Sequence, residues 1–305
     1  MAIANQKGGV GKTTTVVNVG AWLALDGARV LVVDLDPQAN ATSGLGIDGR
    51  QVSTNVYHIL VDGKGIEDAI EATSIKNLLC VASGIELAGA EIELVPAFSR
   101  ELKVRRALSS VWGDFDYVIM DCPPSLGLLT VNALAAADDV IIPIQCEYYA
   151  LEGLGQLLRS VRLVQSNVNP ELVLGGIVLT MYDPRTRLAD QVAKQVRSHF
   201  PGRVYSSVIP RNVRLSEAPS FGQPVAIYDP RSKGARSYRA LAEEIAGQPA
   251  AKRDEPFDQV KEPATSAVAS ESEDAVREIG EKDYEIALRM EVPSPVANEV
   301  KAHSS

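Results

Sequence analysis

The chain has 305 residues, of which 46% are apolar, 5% aromatic and 23% charged, and its formal net charge is −9. Such a composition fits a soluble globular protein of one large domain or two, with an aliphatic core, and it excludes a collagen, a disulfide scaffold and a wholly disordered chain. No apolar run reaches the roughly 18 residues that cross a bilayer.

In chain order, the opening Met1-Ala2-Ile3-Ala4-Asn5 lacks a signal-peptide pattern and runs straight into glycines. Residues 2–5 form a short apolar run, and 13–25 read as a helix. Residues 29–33 are aliphatic after Arg29 and read as a buried strand, with 78–82 as another candidate. A helix is expected over 100–112, β-branched strands over 117–120 and 140–144, and a helix over 151–164. A strand over 176–180 and helices over 188–200 and 237–245 complete the pattern. Apolar strands alternating with helices predict an α/β fold, a mainly parallel sheet with helices on both faces. Ligands of such sheets bind beyond the carboxyl ends of the strands. The three cysteines, Cys80, Cys122 and Cys146, show neither a disulfide framework nor a metal spacing, which suits a reducing cytoplasm.

Charge divides the chain near residue 247. Residues 248–305 hold seven basic and thirteen acidic residues, so −6 of the −9 lies in the last fifth. That stretch is rich in Pro, Glu, Ser, Ala and Lys and has too little apolar surface to offset its ordering entropy. The expected organisation is therefore a folded domain over 1–247 and an acidic, disordered tail over 248–305. One helical pattern runs over 271–291, with Val276, Ile279, Ile286 and Leu288 on its apolar side. Acid confined to a tail leaves a nucleic-acid partner open, because local patches decide.

The string Lys7-Gly8-Gly9-Val10-Gly11-Lys12-Thr13-Thr14 joins the first strand to the first helix. Glycines let backbone N–H groups turn inward around phosphate oxygens, and the helix N-terminus adds a positive dipole end. Lys12 is placed to reach the β- and γ-phosphates, and the Thr13 hydroxyl to ligate Mg²⁺. The usual phosphate loop has Gly six residues before its lysine; here that position is Gln6, and Lys7 is an additional lysine. The loop is of a deviant Walker A type in a P-loop NTPase-like fold.

Two strand ends carry carboxylates: Asp34 and Asp36 in Leu31-Val32-Val33-Asp34-Leu35-Asp36-Pro37-Gln38, and Asp121 in Tyr117-Val118-Ile119-Met120-Asp121-Cys122-Pro123-Pro124. Nucleotide-bound Mg²⁺ takes oxygen ligands, with carboxylates often acting through water. Asp121 suits that role, and Asp36 suits positioning of the attacking water. Asp34 suits either role, or bracing of the loop. The bland reading of each is a capping residue at a helix or turn.

Five stretches together resemble the ParA/Soj chromosome-partitioning ATPases of the MinD/ParA superfamily. They are residues 7–14, 34–43, 121–127, 145–153 (Gln145-Cys146-Glu147-Tyr148-Tyr149-Ala150-Leu151-Glu152-Gly153) and 209–219 (Ile209-Pro210-Arg211-Asn212-Val213-Arg214-Leu215-Ser216-Glu217-Ala218-Pro219). The resemblance spans 1 to about 247 and leaves out the tail. Family members usually have a few more residues before the first strand, and Gly is common where this chain has Ala39. The resemblance implies a homodimer that sandwiches ATP and Mg²⁺, with Lys7 reaching the partner subunit's nucleotide as an arginine finger does elsewhere. Asp34 and Asp36 then lie in one switch, residues 121–127 form a second, and Pro210 and Asn212 match the segment that holds adenine.

Between Asp183 and Arg214 stand seven basic and two acidic residues. On a helix, Arg187, Lys194 and Arg197 fall within about 80° of one another, with Leu188, Val192 and Val196 opposite. A cationic face pairs with phosphate backbones without reading sequence. The residues alone favour a merely solvated face; the resemblance turns the reading to non-specific double-stranded DNA, through Arg185, Arg187, Lys194, Arg197 and Arg214. A second cluster, Arg100, Lys103, Arg105 and Arg106, reads as a solvated face.

The expectation is a slow, partner-stimulated ATPase, cytoplasmic and nucleoid-associated, that segregates a chromosome or plasmid with a ParB/Spo0J-like centromere-binding protein. A membrane-associated MinD-like positioning ATPase is one alternative, although the acidic C-terminus lacks a basic amphipathic anchor. A metal or iron–sulfur carrier ATPase is the other, although the cysteine spacing offers no pair for a bridging cluster.

Overall fold

The computed structural model describes residues 1–147 and 150–247. The acidic tail and its pattern over 271–291 lie outside the described residues. The chain divides into two units, Met1–Glu262 and Pro263–Ser305, and every described residue belongs to the first.

The strands are β1 (Ala2–Ile3), β2 (Val30–Asp34), β3 (Ile70–Ala72), β4 (Leu78–Val81), β5 (Tyr117–Asp121), β6 (Asp139–Gln145), β7 (Val173–Tyr182) and β8 (Val204–Pro210). They form one sheet in the order β3-β4-β2-β5-β1-β6-β7-β8. Every neighbouring pair is parallel except β3 with β4. The expected α/β architecture is the observed one.

Central strands are apolar on both faces because both faces are covered. All five residues of β2 are buried, Asp34 included. The helices Lys12–Leu25 and Lys233–Ala246 share one core with Val30, Val32, Leu78, Ile119 and Ile141. Residues of the opposite parity, such as Leu31, Met120 and Ile142, are equally buried toward the other face. Although β1 has only two residues, it lies mid-sheet, with Ala2 and Ile3 each paired to both β5 and β6. The loop after β1 therefore opens between the ends of the two strands that flank it.

Three expectations need correction. The helix over 100–112 is only Lys103–Leu108, flanked by single 3-10 turns at Arg100–Leu102 and Trp112–Asp114. Ser109 and Ser110 donate their hydroxyls back to the carbonyls of Arg106 and Ala107, and such local bonds compete with helix continuation. Leu188 does not join the buried face of its helix: Ala189, Val192, Ala193 and Val196 do, and Leu188 is 44% exposed. The sequence pattern shows no strand at β8, because its Ser206 and Ser207 break the apolar run. The backbone N–H groups of those serines donate to the Glu244 carboxylate at 3.1 and 3.2 Å, covering this edge of the sheet.

Candidate nucleotide site

The strand ends bring the sequence motifs together. The loop after β1 leads into the Lys12–Leu25 helix, Asp34 ends β2, and Asp121 ends β5. Asp34 and Asp121 are register partners across the β2–β5 ladder, and Ile3 pairs with Asp121.

The loop has the backbone that its glycines predict. Gly9 has φ +74° and Gly11 φ +89°, both left-handed. Gly11 caps the helix without a side chain, so the first-turn N–H groups are left to an incoming anion. Three side chains fix the loop. Thr180 on β7 donates to the Val10 carbonyl at 2.8 Å, and Thr15 to the Gly11 carbonyl at 2.7 Å. Asn5 accepts from the Lys7 N–H at 3.0 Å. Val10 is buried as an apolar anchor, and a Cβ on Gly8 would meet Pro124 at 4.0 Å, so the loop lies beside segment 121–127.

The two lysines differ. Lys12 is buried, and its Nζ donates to the Lys7 carbonyl at 3.3 Å. Burial lowers its affinity for the proton, opposed by Asp121, Cys122 and Asp36. Lys7 points outward, half-exposed, with its Nζ 2.8 Å from Glu147 Oε2.

The carboxylates divide as well. Asp34 accepts from the Thr42 N–H at 2.9 Å, the Thr42 hydroxyl at 2.7 Å and the Asp36 N–H at 3.1 Å. Burial pushes its carboxyl up to about 6 despite these bonds. Both of its oxygens thus brace the loop that follows β2. Asp36 is buried and accepts from the Gln38 N–H at 3.0 Å. Asp121 is fully buried, and neither of its oxygens has a hydrogen-bond partner. Burial, and next the Asp34 charge, hold its carboxyl well above the ordinary range. Lys12 and the nearby Thr13 side chain oppose that shift, the latter without meeting hydrogen-bond geometry.

An orphaned buried carboxylate is costly unless something pairs with it. A divalent cation would satisfy Asp121, so the donor set fits Mg²⁺ held with a hydroxyl, water and phosphate oxygens. Among the described residues no group of three or more His, Cys, Asp or Glu is arranged to hold a metal.

Beside the helix N-terminus lies a cavity of about 260 Å³ lined by Thr13, Thr14, Asn18, Leu215, Pro219 and Gln223, among others. Pro210 and Asn212 do not line it. Pro210 ends β8, and Asn212 accepts from the Arg214 N–H at 2.9 Å as the cap of helix Val213–Glu217. Sequence reasoning missed Asn18, Leu215, Pro219 and Gln223, although the stretch 209–219 carried two of them. Asn18 holds the cavity's wall, donating to the Thr14 carbonyl and accepting from the Val225 N–H, both at 2.7 Å.

Two of the basic residues follow adjacent strand ends near the outer edge of the sheet, and three lie along the helix after β7. Tyr182 and Pro210, at the ends of β7 and β8, are paired, and the Arg211 N–H donates to the Tyr182 carbonyl at 3.1 Å. Arg185 and Arg214 follow those two strand ends. Arg187, Lys194 and Arg197 are exposed along helix Arg187–His199. Arg185 is paired to Asp183 at 2.6 Å, and Arg214 to Glu217 at 2.8 Å and Asp229 at 3.3 Å. The three cysteines are free and buried, and burial raises each thiol, Cys146 to about 11. No described helix is long and apolar enough to cross a membrane.

Comparison with known proteins agrees with this geometry. A family model described as an AAA domain matches residues 1–174. The sporulation initiation inhibitor protein Soj of Bacillus subtilis is 61% identical over 246 residues, covering 81% of this chain and 97% of that protein. The chromosome partitioning protein ParA of Myxococcus xanthus is 50% identical over 256 residues, covering 84% and 89%. A structure of cobyrinic acid a,c-diamide synthase from Mycobacterium smegmatis, with bound ADP and magnesium, is 42% identical. It superposes with a TM-score of 0.71, covering 80% of this chain and 92% of that one.

Proposed function

The chain belongs to the ParA/Soj family of chromosome-partitioning ATPases, and on that premise we propose how its residues divide the work of an ATP-driven switch. It is an ATPase that uses ATP and Mg²⁺, acts in the partitioning of a chromosome or plasmid with a partner protein, and forms homodimers. Work on such DNA puts it in the cytoplasm, on the nucleoid.

The phosphate loop, residues 7–14, cradles the phosphates, and the cavity beside Thr14 and Leu215 receives the base and sugar. Pro210 and Asn212 act from behind this wall by fixing the helix that carries Leu215. Lys12 binds the β- and γ-phosphates. Thr13 and Asp121 hold Mg²⁺, which neutralises phosphate charge when bound. Asp34 serves the same centre by bracing the loop that presents Asp36. Asp36 orients the attacking water. The observation that carries the switch reading is the contrast between a buried Lys12 and a half-exposed Lys7. One lysine is built into its own site; the other faces outward, held by an exposed ion pair to Glu147, and on leaving that pair completes a partner subunit's site and stabilises charge on the transferring phosphoryl group.

ATP then closes a dimer, and the dimer presents two copies of the cationic face formed by Arg185, Arg187, Lys194, Arg197 and Arg214. That face binds double-stranded DNA without sequence preference. A ParB/Spo0J-like centromere-binding protein stimulates hydrolysis, which opens the dimer and releases the DNA.

The test is duplex DNA binding with ATP, with ADP and without nucleotide, for the wild type and Asp36→Ala, at two salt concentrations. Binding should need ATP, ignore sequence, weaken steeply with salt and outlast the wild type in Asp36→Ala. If no nucleotide state binds DNA, the basic face is a solvated surface and the DNA role is lost.

A further inference from the structure

The segment 85–98 presents an apolar stripe to solvent beside the second switch. Its core is the helix Leu87–Glu93, extended by turns in which Ala88 N–H bonds to the Ile85 carbonyl and Val95 N–H to the Ile92 carbonyl. Leu87, Ala90 and Leu94 face inward and are buried. Ile85, Ala88, Ile92 and Val95 fall within about 80° on the outer side. Ile92 is 77% exposed, and Phe98, beyond the stripe's end, is 88% exposed. Four large apolar side chains left in water along one short segment exceed the scattered exposure normal for a surface.

The charges that the segment itself carries, Glu86, Glu91 and Glu93, are all acidic, and the basic cluster Arg100, Lys103, Arg105 and Arg106 begins beyond its end. No Lys or Arg occurs from residue 77 to 99. Tyr57 donates its hydroxyl to Glu93 at 3.0 Å, and the charges of Glu93, Asp62 and Glu86 all act on its phenol. The nearest cation in sequence, Arg100, is engaged by the Val95 carbonyl at 2.7 Å and by Glu101 at 3.0 Å. Such a rim repels nucleic acid and an identical acidic face, and attracts a basic one.

The same segment touches the switch. Glu91 accepts from the Leu129 N–H at 3.4 Å, and its carboxylate fills the space where a Cβ on Gly127 would stand. Gly127 ends the loop that begins at Asp121 and caps the helix Leu128–Ala136.

We propose that Ile85, Ile92, Val95 and Phe98, rimmed by Glu86 and Glu93, are the docking surface for a cationic amphipathic segment of the partner protein that stimulates hydrolysis. This rests on the partner reading given above. Apolar side chains of that segment cover the stripe, and its basic residues meet the acidic rim. Docking bears on Glu91 and through it on the loop that holds Asp121.

The probe is the purified ParB/Spo0J-like centromere-binding protein encoded in the same genome, added to the full-length chain with ATP. Ile92→Asp and Phe98→Asp change exposed positions and leave the core intact, and Leu163→Asp, at an exposed position on another helix, is the control. Each stripe variant should lose at least tenfold in partner affinity and most of the stimulated ATPase rate. Its unstimulated rate and its ATP-dependent dimer, followed by sedimentation velocity, should match the wild type, and Leu163→Asp should behave as wild type throughout. Full stimulation of both stripe variants overturns the surface while leaving the partner reading in place. Loss of the dimer in place of partner binding reassigns the stripe to self-association and overturns the proposal. A wild-type chain that neither binds nor responds to the partner overturns both readings.

Discussion

Lys7 and Glu147 are joined by a 2.8 Å ion pair that links the tip of the phosphate loop to the residue two positions beyond β6. Glu147 is itself held by the side-chain amide of Gln145. The lysine assigned to a partner subunit's nucleotide is thus occupied within its own subunit.

Releasing that pair should raise the unstimulated rate modestly. Both side chains are about half-exposed, and exposed pairs are worth roughly 0.2–1 kcal/mol, which caps the gain at about fivefold. Phosphate release from Glu147→Gln should therefore rise by up to about fivefold, and Lys7→Ala in the same background should abolish the gain. An unchanged rate in Glu147→Gln means that the pair does not restrain Lys7.

Asp121→Asn should stabilise the ligand-free protein while removing its response to Mg-ATP. A carboxyl raised by burial favours its neutral form: its folding advantage is complete below the ordinary carboxylate range and is lost as pH rises through the raised value. At neutral pH the amide removes that penalty, an effect of about 1–3 kcal/mol. Thermal unfolding with and without Mg-ATP, and with a chelator, reads both effects. A variant that is less stable than wild type when free of ligand contradicts this account.

Asp183→Asn should tighten DNA binding. The Arg185 guanidinium beside Asp183 holds its carboxyl down at about 2, so the pair stays charged and Arg185 is half-neutralised at working pH. The pair is lost only as pH falls toward that value, so mild acid does not mimic the substitution. Freeing Arg185 should add about one phosphate contact and steepen the slope of log affinity against log salt by about 0.9. Equal slopes for wild type and variant would remove Arg185 from the interface.

Ala39→Gly should stabilise the first switch. Ala39 has φ +52° and ψ +35° and caps the short helix Asn40–Gly44. A left-handed non-glycine residue costs on the order of 1 kcal/mol, partly offset by glycine's larger unfolded-state entropy. The unfolding midpoint should rise by about 1–3 °C for a domain of this size. A lower midpoint means that the side chain makes contacts that outweigh the backbone strain.

Much of the site was legible in advance because its chemistry is local. Gly9, Gly11, Lys12 and Thr13 occupy consecutive turns of one loop and helix, so their spacing carries their geometry. Asp34 and Asp121 ended apolar runs, and a parallel sheet sends all such ends to one edge. What could not be read was which carboxylate is engaged. Thr42, eight residues beyond Asp34, donates both a backbone and a side-chain bond to it, whereas among the described residues no hydrogen bond engages Asp121.

The amino-acid pattern by itself determined the α/β architecture, the phosphate loop with its two lysines, and the cationic helix face. Each rests on periodicity or on spacing within a few residues, which the chain's own geometry enforces. Only the tertiary structure decided that Glu147 holds Lys7, that the cavity beside the helix is walled by Leu215 and Pro219, and that Glu91 presses on Gly127. Those pairs stand 140, about 200 and 36 residues apart. Contacts at such separation arise from how layers pack, and packing is a property of the whole core.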